Sequence, residues 1–171
     1  MEYLELIRQR YSVRAYKPDP VPDQLLAQVL EAGRLAPTAA NKQPFRIIVI
    51  HTKGREAELG RIYHRDWFTQ APLILYVCTM RAEAWKRTMY DGKSHADVDA
   101  TIVMDHLVLA AADRGLGSCW IAEFDPAAAR EVLGVPAEVE PVLFTPLGFP
   151  ADQAKSKARR PLEELVRYER W

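Results

Sequence analysis

Two arginines and a serine lie close together near the start of the chain, in the sequence Arg10-Tyr11-Ser12-Val13-Arg14. A planar guanidinium group binds phosphate through paired, charge-assisted hydrogen bonds, and a serine hydroxyl can add a further donor. If the chain is extended after Arg10, both guanidinium groups and the Ser12 hydroxyl can converge on one oxyanion. These residue types at this spacing therefore indicate phosphate binding.

A second basic group lies near the other end of the chain and consists of Lys155, Lys157, Arg159 and Arg160. Basic residues at a helix end or in a tail are most often simply solvated, and this interpretation is preferred for either group considered alone. The two groups can bind one phosphate only if the fold brings the ends of the chain together. We predict that convergence.

The charge balance argues against a nucleic-acid-binding module. The 171 residues include 23 basic and 23 acidic side chains, which gives a formal net charge of zero. Broad attraction of phosphates needs a net positive field, and no stripe of interleaved basic and aromatic residues is present. A chain of this length is expected to form one domain, residues 1–171, with a substantial core.

The two cysteines, Cys78 and Cys119, each lie within an apolar run, which favours small buried side chains over a disulfide or a metal pair. No Cys-x-x-Cys or His-Glu-x-x-His motif occurs, so we expect no metal centre. The sequence also has no signal-peptide pattern and no apolar run of the roughly 20 residues that a membrane-spanning helix needs. We therefore expect a cytoplasmic protein with no membrane partner.

Helices and strands must position the basic groups. Apolar spacing predicts helices over residues 2–10, 24–36, 55–63, 97–113 and 126–133, with Asp23 and Asp125 as N-caps. Composition predicts strands over residues 45–50, 73–78, 118–121 and 139–148, and a loop through Trp67 and Phe68. The helix over 97–113 is apolar nearly all round, so we expect it to be buried in the domain or against a second subunit.

Two connecting segments have compositions that suit a ligand site. The loop between Pro37 and Pro44 has short side chains, which let a flat ligand approach the backbone, and Asn41 and Gln43 can donate and accept hydrogen bonds. Gly115-Leu116-Gly117 ends the long helix. It is a weak phosphate signal, because the Gly-x-Gly-x-x-Gly spacing and a following helix are missing.

Four stretches in this order resemble the nitroreductase family of flavin mononucleotide (FMN) oxidoreductases, in its short form. They are Arg-x-Ser-x-Arg at 10–14, the loop at 36–44, the glycine stretch at 115–121, and the ending at 147–164 with Leu-Gly-Phe-Pro and Lys-x-Arg-x-Pro-Leu-Glu-Glu. Each stretch alone is a weak signal. Four in order, spread over nearly the whole chain, are a strong one.

The resemblance implies an α+β fold, in which a mixed sheet of about four to five strands is flanked by helices. It also implies a homodimer with flavin sites at the subunit interface, and the apolar C-terminal segment 159–171 is expected to dock on the partner subunit. The implied cofactors are FMN and, as reductant, NADH or NADPH. The implied cofactor-binding residues are Arg10, Tyr11, Ser12, Arg14, Pro37, Thr38, Ala39, Asn41, Trp120, Ile121, Ala122, Glu123, Lys157 and Arg159.

These residues fall into three groups by their implied role. The N-terminal group, with Lys157 and Arg159, would hold the phosphate and ribityl end, whereas Lys155 and Arg160 fall outside the family's Lys-x-Arg spacing and are expected to be solvent-exposed. The loop at 37–41 would reach the ring from the second subunit. Backbone groups of residues 120–123 would lie along the ring edge, with one N–H donating to the reactive nitrogen.

The implied activity is hydride transfer from NAD(P)H through bound flavin to an electron-poor acceptor such as a nitroaromatic or a quinone, with ping-pong kinetics. No catalytic side chain is expected, because the flavin carries the chemistry. Two alternatives remain open. One is a flavoenzyme of the same fold with another reaction, such as dehalogenation, dehydrogenation or flavin breakdown, and the other is a non-catalytic flavin-binding module.

Overall fold

The computed structural model describes residues 2–171 and consists of a four-stranded sheet with helices on both faces. The helices are α1 (Tyr3–Gln9), α2 (Asp23–Arg34), α3 (Glu56–Gly60), α4 (Asp66–Gln70), α5 (Ala96–Asp113), α6 (Pro126–Leu133) and α7 (Leu162–Leu165). The strands are β1 (Phe45–His51), β2 (Leu73–Met80), β3 (Gly117–Ser118) and β4 (Val139–Gly148).

The strands pair in the order β1-β2-β4-β3, and all pairings between these strands are antiparallel. Within the described residues, parallel pairing is limited to an isolated bridge between Ser12 and Ser118. The predicted α+β fold, a sheet of about four to five strands flanked by helices, is confirmed, but the sheet is antiparallel and not mixed.

Strand β2 lies at the centre, and every one of its residues except Met80 is buried. Because successive side chains point to opposite faces, the strand contributes to two hydrophobic cores. Leu75 and Val77 belong to the core that contains α5, and Ile74 and Tyr76 belong to the core that contains α4 and α6. The sheet is therefore covered on both sides. Helix α5 is buried along one face and is exposed or half-buried elsewhere, so the burial on most sides that its apolar sequence predicted is not reached within one protomer.

The two predicted N-caps had different outcomes. The carboxylate of Asp125 accepts hydrogen bonds from the N–H groups of Ala127 and Ala128, so this cap is confirmed. Asp23 is instead the first residue of α2, and Pro22 occupies the cap position. In the first turn the negative charge of Asp23 still favours the helix, through the positive end of the helix dipole.

The extents of four other segments were predicted wrongly. The expected helix over 55–63 is shorter, and the expected loop through Trp67 contains α4; helices of five residues are too short for periodicity to reveal. The helix predicted to reach residue 36 ends at Arg34. The strand predicted over 118–121 ends early, because the N–H of Cys119 donates to the hydroxyl of Thr145 instead of a strand carbonyl.

Both cysteines are buried and unpaired, as predicted. Burial is the main cause that raises the pKa of each thiol above its ordinary value. Among residues 2–171, no group of three or more His, Cys, Asp or Glu side chains is placed to hold a metal ion. No helix in the same range is long and apolar enough to span a membrane.

An extended segment after α1 pairs with two parts of the chain that are distant in sequence. The N–H of Val13 donates to the carbonyl of Ser118 at 3.0 Å. Two residues further on, the carbonyl of Ala15 accepts the N–H of Ala151 at 2.8 Å. The start of the chain is therefore held beside the polypeptide that leads into the C-terminal tail.

Gly117 permits this segment to lie close to the sheet. A Cβ atom at position 117 would lie 2.7 Å from Cγ2 of Val13, and Val13 is buried. Gly115 has φ 73, a left-handed conformation that suits the end of α5. The two glycines therefore serve packing and helix termination.

We expect the substitution Gly117→Ala to destabilise the fold by roughly 1–3 kcal/mol, because it forces an extra carbon against the buried Val13 side chain. Urea denaturation would measure the change. Gly60→Ala is the matched control, because an added Cβ there meets nothing within 4 Å; it should leave the free energy of unfolding unchanged or slightly higher. Equal stability of the two variants would contradict the packing role of Gly117.

Candidate functional site

The two ends of the chain meet at a cavity of about 300 Å³, which we call the terminal cavity. On the N-terminal side it is lined by Arg10, Tyr11, Ser12 and Arg14. On the C-terminal side it is lined by Asp152, Gln153, Lys155, Ser156, Lys157, Ala158 and Arg159. The fold thus brings together the two basic groups whose convergence the sequence predicted.

Asp152 fastens the N-terminal segment to the start of the tail. Its Oδ2 accepts the N–H of Arg14 at 2.8 Å, and its Oδ1 and carbonyl oxygen accept the Tyr11 hydroxyl at 3.2 and 2.9 Å. Burial and then the charge of Asp152 raise the pKa of Tyr11, so its phenol stays protonated as a donor. Sequence reasoning missed Asp152, because no local signal marks a carboxylate whose partner lies 138 residues away.

Arg14 is oriented by an aromatic ring. The centre of its guanidinium group lies 6.0 Å from the centroid of the Trp67 ring, within the range of a cation–π contact. Such a contact restrains the side chain without consuming its N–H donors. The guanidinium groups of Arg14 and Arg10 donate no hydrogen bond to any described residue, and both line the terminal cavity. Their donors are therefore available to an anion.

Lys157 ties the tail to the end of α1. Its ammonium group donates to the carbonyl of Ile7 at 2.9 Å and to the carbonyl of Arg8. Carbonyls in the last turn of a helix lack partners within the helix, and a lysine can satisfy them. Burial, followed by the charges of Arg10 and Arg159, lowers the pKa of the Lys157 ammonium. The terminal cavity therefore has a surplus of positive charge, which a bound anion would relieve.

The other basic residues of the tail differ in their positions. Arg159 is exposed and lines the terminal cavity, and its guanidinium donates to the carbonyl of Ala158 at 2.8 Å. Lys155 is exposed as expected. It also lines the cavity, although the family resemblance did not include it among the cofactor-binding residues. Arg160 is exposed and is not among the lining residues.

The small-residue loop is not part of the terminal cavity. None of Pro37, Thr38, Ala39 and Asn41 lines it. The loop contains a short 3₁₀ turn, Ala39–Asn41, whose first N–H donates to the carboxylate of Asp99 at 2.9 Å. Within one protomer, these residues and the basic residues therefore form separate surfaces.

The stretch after β3 is partly engaged within the fold. Ile121 is buried and exchanges two backbone hydrogen bonds with Phe144, at 2.9 and 3.0 Å, so its N–H is not available to a ligand. Trp120 is half-buried, and Ala122 and Glu123 are exposed. The backbone N–H groups of these three residues make no hydrogen bond within residues 2–171. They are therefore the available donors of the stretch.

Comparison with known proteins identifies a matching family model and a similar protein. A model of the nitroreductase family matches residues 7–65 and 55–149. The chain is 31% identical over 189 aligned positions to an NADH dehydrogenase of Thermus thermophilus, covering 92% of this chain and 91% of that protein.

Two solved structures are also similar. A nitroreductase family protein from Clostridium difficile 630 is 36% identical, with a TM-score of 0.92 and 100% of both chains covered. A protein from Desulfovibrio desulfuricans, whose structure was solved in complex with FMN, is 28% identical, with a TM-score of 0.83, covering 100% of this chain and 98% of that one.

The substitution Asp152→Asn should lower the pKa of Tyr11 only part of the way towards its ordinary value, because the carboxylate charge is removed while the burial remains. An ultraviolet titration of tyrosinate, with Tyr11→Phe subtracted, would follow this phenol. We also expect a loss of about 1–2 kcal/mol in the free energy of unfolding, since hydrogen bonds to a charged acceptor become neutral ones. Asp19→Asn, at an exposed position, is the control, and identical titrations for both variants would contradict the assigned contact.

Proposed function

Because the chain belongs to the nitroreductase family, we propose that it is an NAD(P)H-dependent oxidoreductase that binds FMN with the phosphate in the terminal cavity. The observation that carries this proposal is the convergence of Arg10, Arg14, Lys157 and Arg159 at one cavity. The FMN complex of the similar Desulfovibrio desulfuricans protein supports the choice of cofactor.

The donors at the terminal cavity fit a phosphate monoester. Such a group carries between one and two negative charges at neutral pH and has three acceptor oxygens. Arg10 and Arg14 offer guanidinium donors that the fold leaves unused, and Lys157 has used two of its three N–H groups on α1. Asp152 also lies at the cavity, but its oxygens already accept hydrogen bonds from the Tyr11 hydroxyl and the Arg14 N–H.

The flavin ring needs surfaces beyond this cavity. Bound FMN would supply hydride transfer from NADH or NADPH to an electron-poor acceptor such as a nitroaromatic or a quinone. This chain contributes orientation and hydrogen-bond donors, and we assign it no catalytic side chain. The free N–H groups of Trp120, Ala122 and Glu123 are the candidates to donate to the ring edge. Because both substrates use one site in turn, ping-pong kinetics are expected.

A second copy of the chain is proposed to complete the site. The loop at 37–44 lies outside the terminal cavity of its own protomer, so we assign it to the flavin ring at a homodimer interface. Exposed apolar side chains support such an interface. They occur on the helices and in the tail, at Tyr3, Leu4, Leu35, Val98, Leu162, Leu165, Tyr168 and Trp171. Segment 159–171 is the part proposed to dock on the partner subunit.

Removal of either cavity arginine tests the phosphate assignment. Arg10→Ala and Arg14→Ala should each weaken FMN binding by about 1.5–3 kcal/mol, the value of a hydrogen bond to a charged group. Binding of riboflavin, which has the same ring but no phosphate, should change little. Quenching of flavin fluorescence measures both affinities. Arg160→Ala, an exposed arginine outside the cavity, is the matched control and should bind FMN like the wild type.

Equal losses for FMN and riboflavin would show that the arginines do not act on the phosphate. Unchanged FMN affinity in both arginine variants would contradict the site altogether.

The activity itself is tested by anaerobic reduction. The purified protein with FMN should be yellow and should lose its visible flavin absorbance when NADH or NADPH is added. It should then regain its colour when a nitroaromatic or a quinone is supplied. A flavin that stays yellow with both nicotinamides would favour a non-catalytic flavin-binding module. A flavin that is reduced but does not turn over with either acceptor would favour another reaction of the same fold.

A further inference from the structure

Asp99 is a buried carboxylate in the first turn of α5, with 1% of its surface exposed. Its Oδ1 accepts the backbone N–H of Ala39 at 2.9 Å. Its Oδ2 is also buried and has no hydrogen-bond partner among residues 2–171. The other unpartnered buried side-chain atoms in that range are the hydroxyl oxygens of Tyr76 and Thr79, so Asp99 is the one carboxylate in this group.

The loop that Asp99 contacts has a strained backbone. Ala40, Asn41 and Gln43 have φ values of 51°, 53° and 50°. In this left-handed region the Cβ atom crowds the backbone, a conformation that asparagine tolerates better than alanine or glutamine. A bond from the N–H of Gln43 to the Thr38 hydroxyl, at 3.0 Å, helps to close the turn. Asp99 ties this closed turn to a long helix.

Stability alone does not explain a carboxylate at position 99. A buried carboxylate oxygen without a donor is unfavourable, and a left-handed turn without glycine is unfavourable as well. The hydrogen bond from the Ala39 N–H to the Asp99 carboxylate connects the buried carboxylate to the left-handed turn. Strained backbone that the surrounding structure holds in place is typical of segments that contact ligands.

We propose that Asp99 is a positioning residue, which fixes residues 38–43 in the shape that receives the flavin ring before the cofactor binds. This inference rests on the proposed function, because it takes the loop as a ring-contacting surface. Asp99 acts through its bond to the Ala39 N–H and does not itself touch the flavin. Its removal should therefore weaken binding of the ring and leave binding of the phosphate unaffected.

Two substitutions separate this role from others. Asp99→Asn keeps an acceptor oxygen for the Ala39 N–H, whereas Asp99→Ala removes it. In the flavin-free protein, hydrogen exchange at the Ala39 amide should be at least about tenfold faster in Asp99→Ala and nearly unchanged in Asp99→Asn, because only the first loses the bond. This measurement does not depend on flavin binding.

Flavin affinity gives the second readout. Asp99→Ala should weaken FMN and riboflavin by the same factor, at least about tenfold, as expected for a lost hydrogen bond to a charged group. This pattern differs from that of Arg10→Ala, which should affect FMN alone. Asp99→Asn should stay within about threefold of the wild type, since its bond to Ala39 is kept. In the double variant Asp99→Ala/Ala40→Gly, glycine relieves strain in the turn, and part of the lost affinity should return.

Several results would overturn the inference. Asp99→Ala could bind both flavins as the wild type does, or its Ala39 amide could exchange at the wild-type rate. Asp99→Asn could lose as much affinity as Asp99→Ala, which would mean that the carboxylate acts on the ligand directly. If the wild-type protein bound neither flavin, the proposed function itself would be wrong. If the wild type bound flavin and Asp99→Ala bound it equally well, the proposed function would stand and only the role of Asp99 would be wrong.

Discussion

Backbone pairing of the extended segment after α1 is the constraint on which the rest of the site depends. One end of this segment hydrogen-bonds through Val13 to Ser118, and the other bonds through Ala15 to Ala151. Backbone hydrogen bonds fix position along the chain closely, and the lack of a Cβ at Gly117 lets the segment lie near the sheet. Arg10 and Arg14 are therefore set beside the start of the C-terminal tail before any ligand is present.

The candidate site consists of two surfaces with different properties, the basic terminal cavity and the strained loop at 37–44. The terminal cavity concentrates positive charge. The pKa of Lys157 is lowered first by burial and then by the neighbouring charges of Arg10 and Arg159. The loop at 37–44 has a single basic side chain, Lys42, and its backbone is strained at Ala40 and Gln43. An anionic, flat cofactor that bridges two protomers would neutralise the positive charge in the terminal cavity with its phosphate. Its ring would lie against the strained loop. This combination is what makes FMN a better fit than a simple anion.

The sequence predicted those parts of the molecule that depend on local patterns. The long apolar helix, the strand at 139–148 and the Asp125 cap were all predicted, because periodicity, β-branched residues and a capping side chain are visible within a short window. The role of Asp152 was not, because its contacts to Tyr11 and Arg14 are set by the fold. The engaged N–H of Ile121 was also invisible, since it depends on pairing with Phe144. The convergence of the two ends was predicted only through the chemistry that their basic residues would share.

The ³¹P resonance of protein-bound FMN would test the role of the terminal cavity most directly. The dianion of a free phosphate monoester takes up a proton at about pH 6. A phosphate held by Arg10, Arg14 and Lys157 should stay dianionic, because neighbouring positive charges favour the charged form. We therefore expect the bound resonance to remain constant between about pH 5 and pH 8, across the range in which free FMN titrates. A bound resonance that titrates at about pH 6 would place the phosphate in solvent and contradict the site described here.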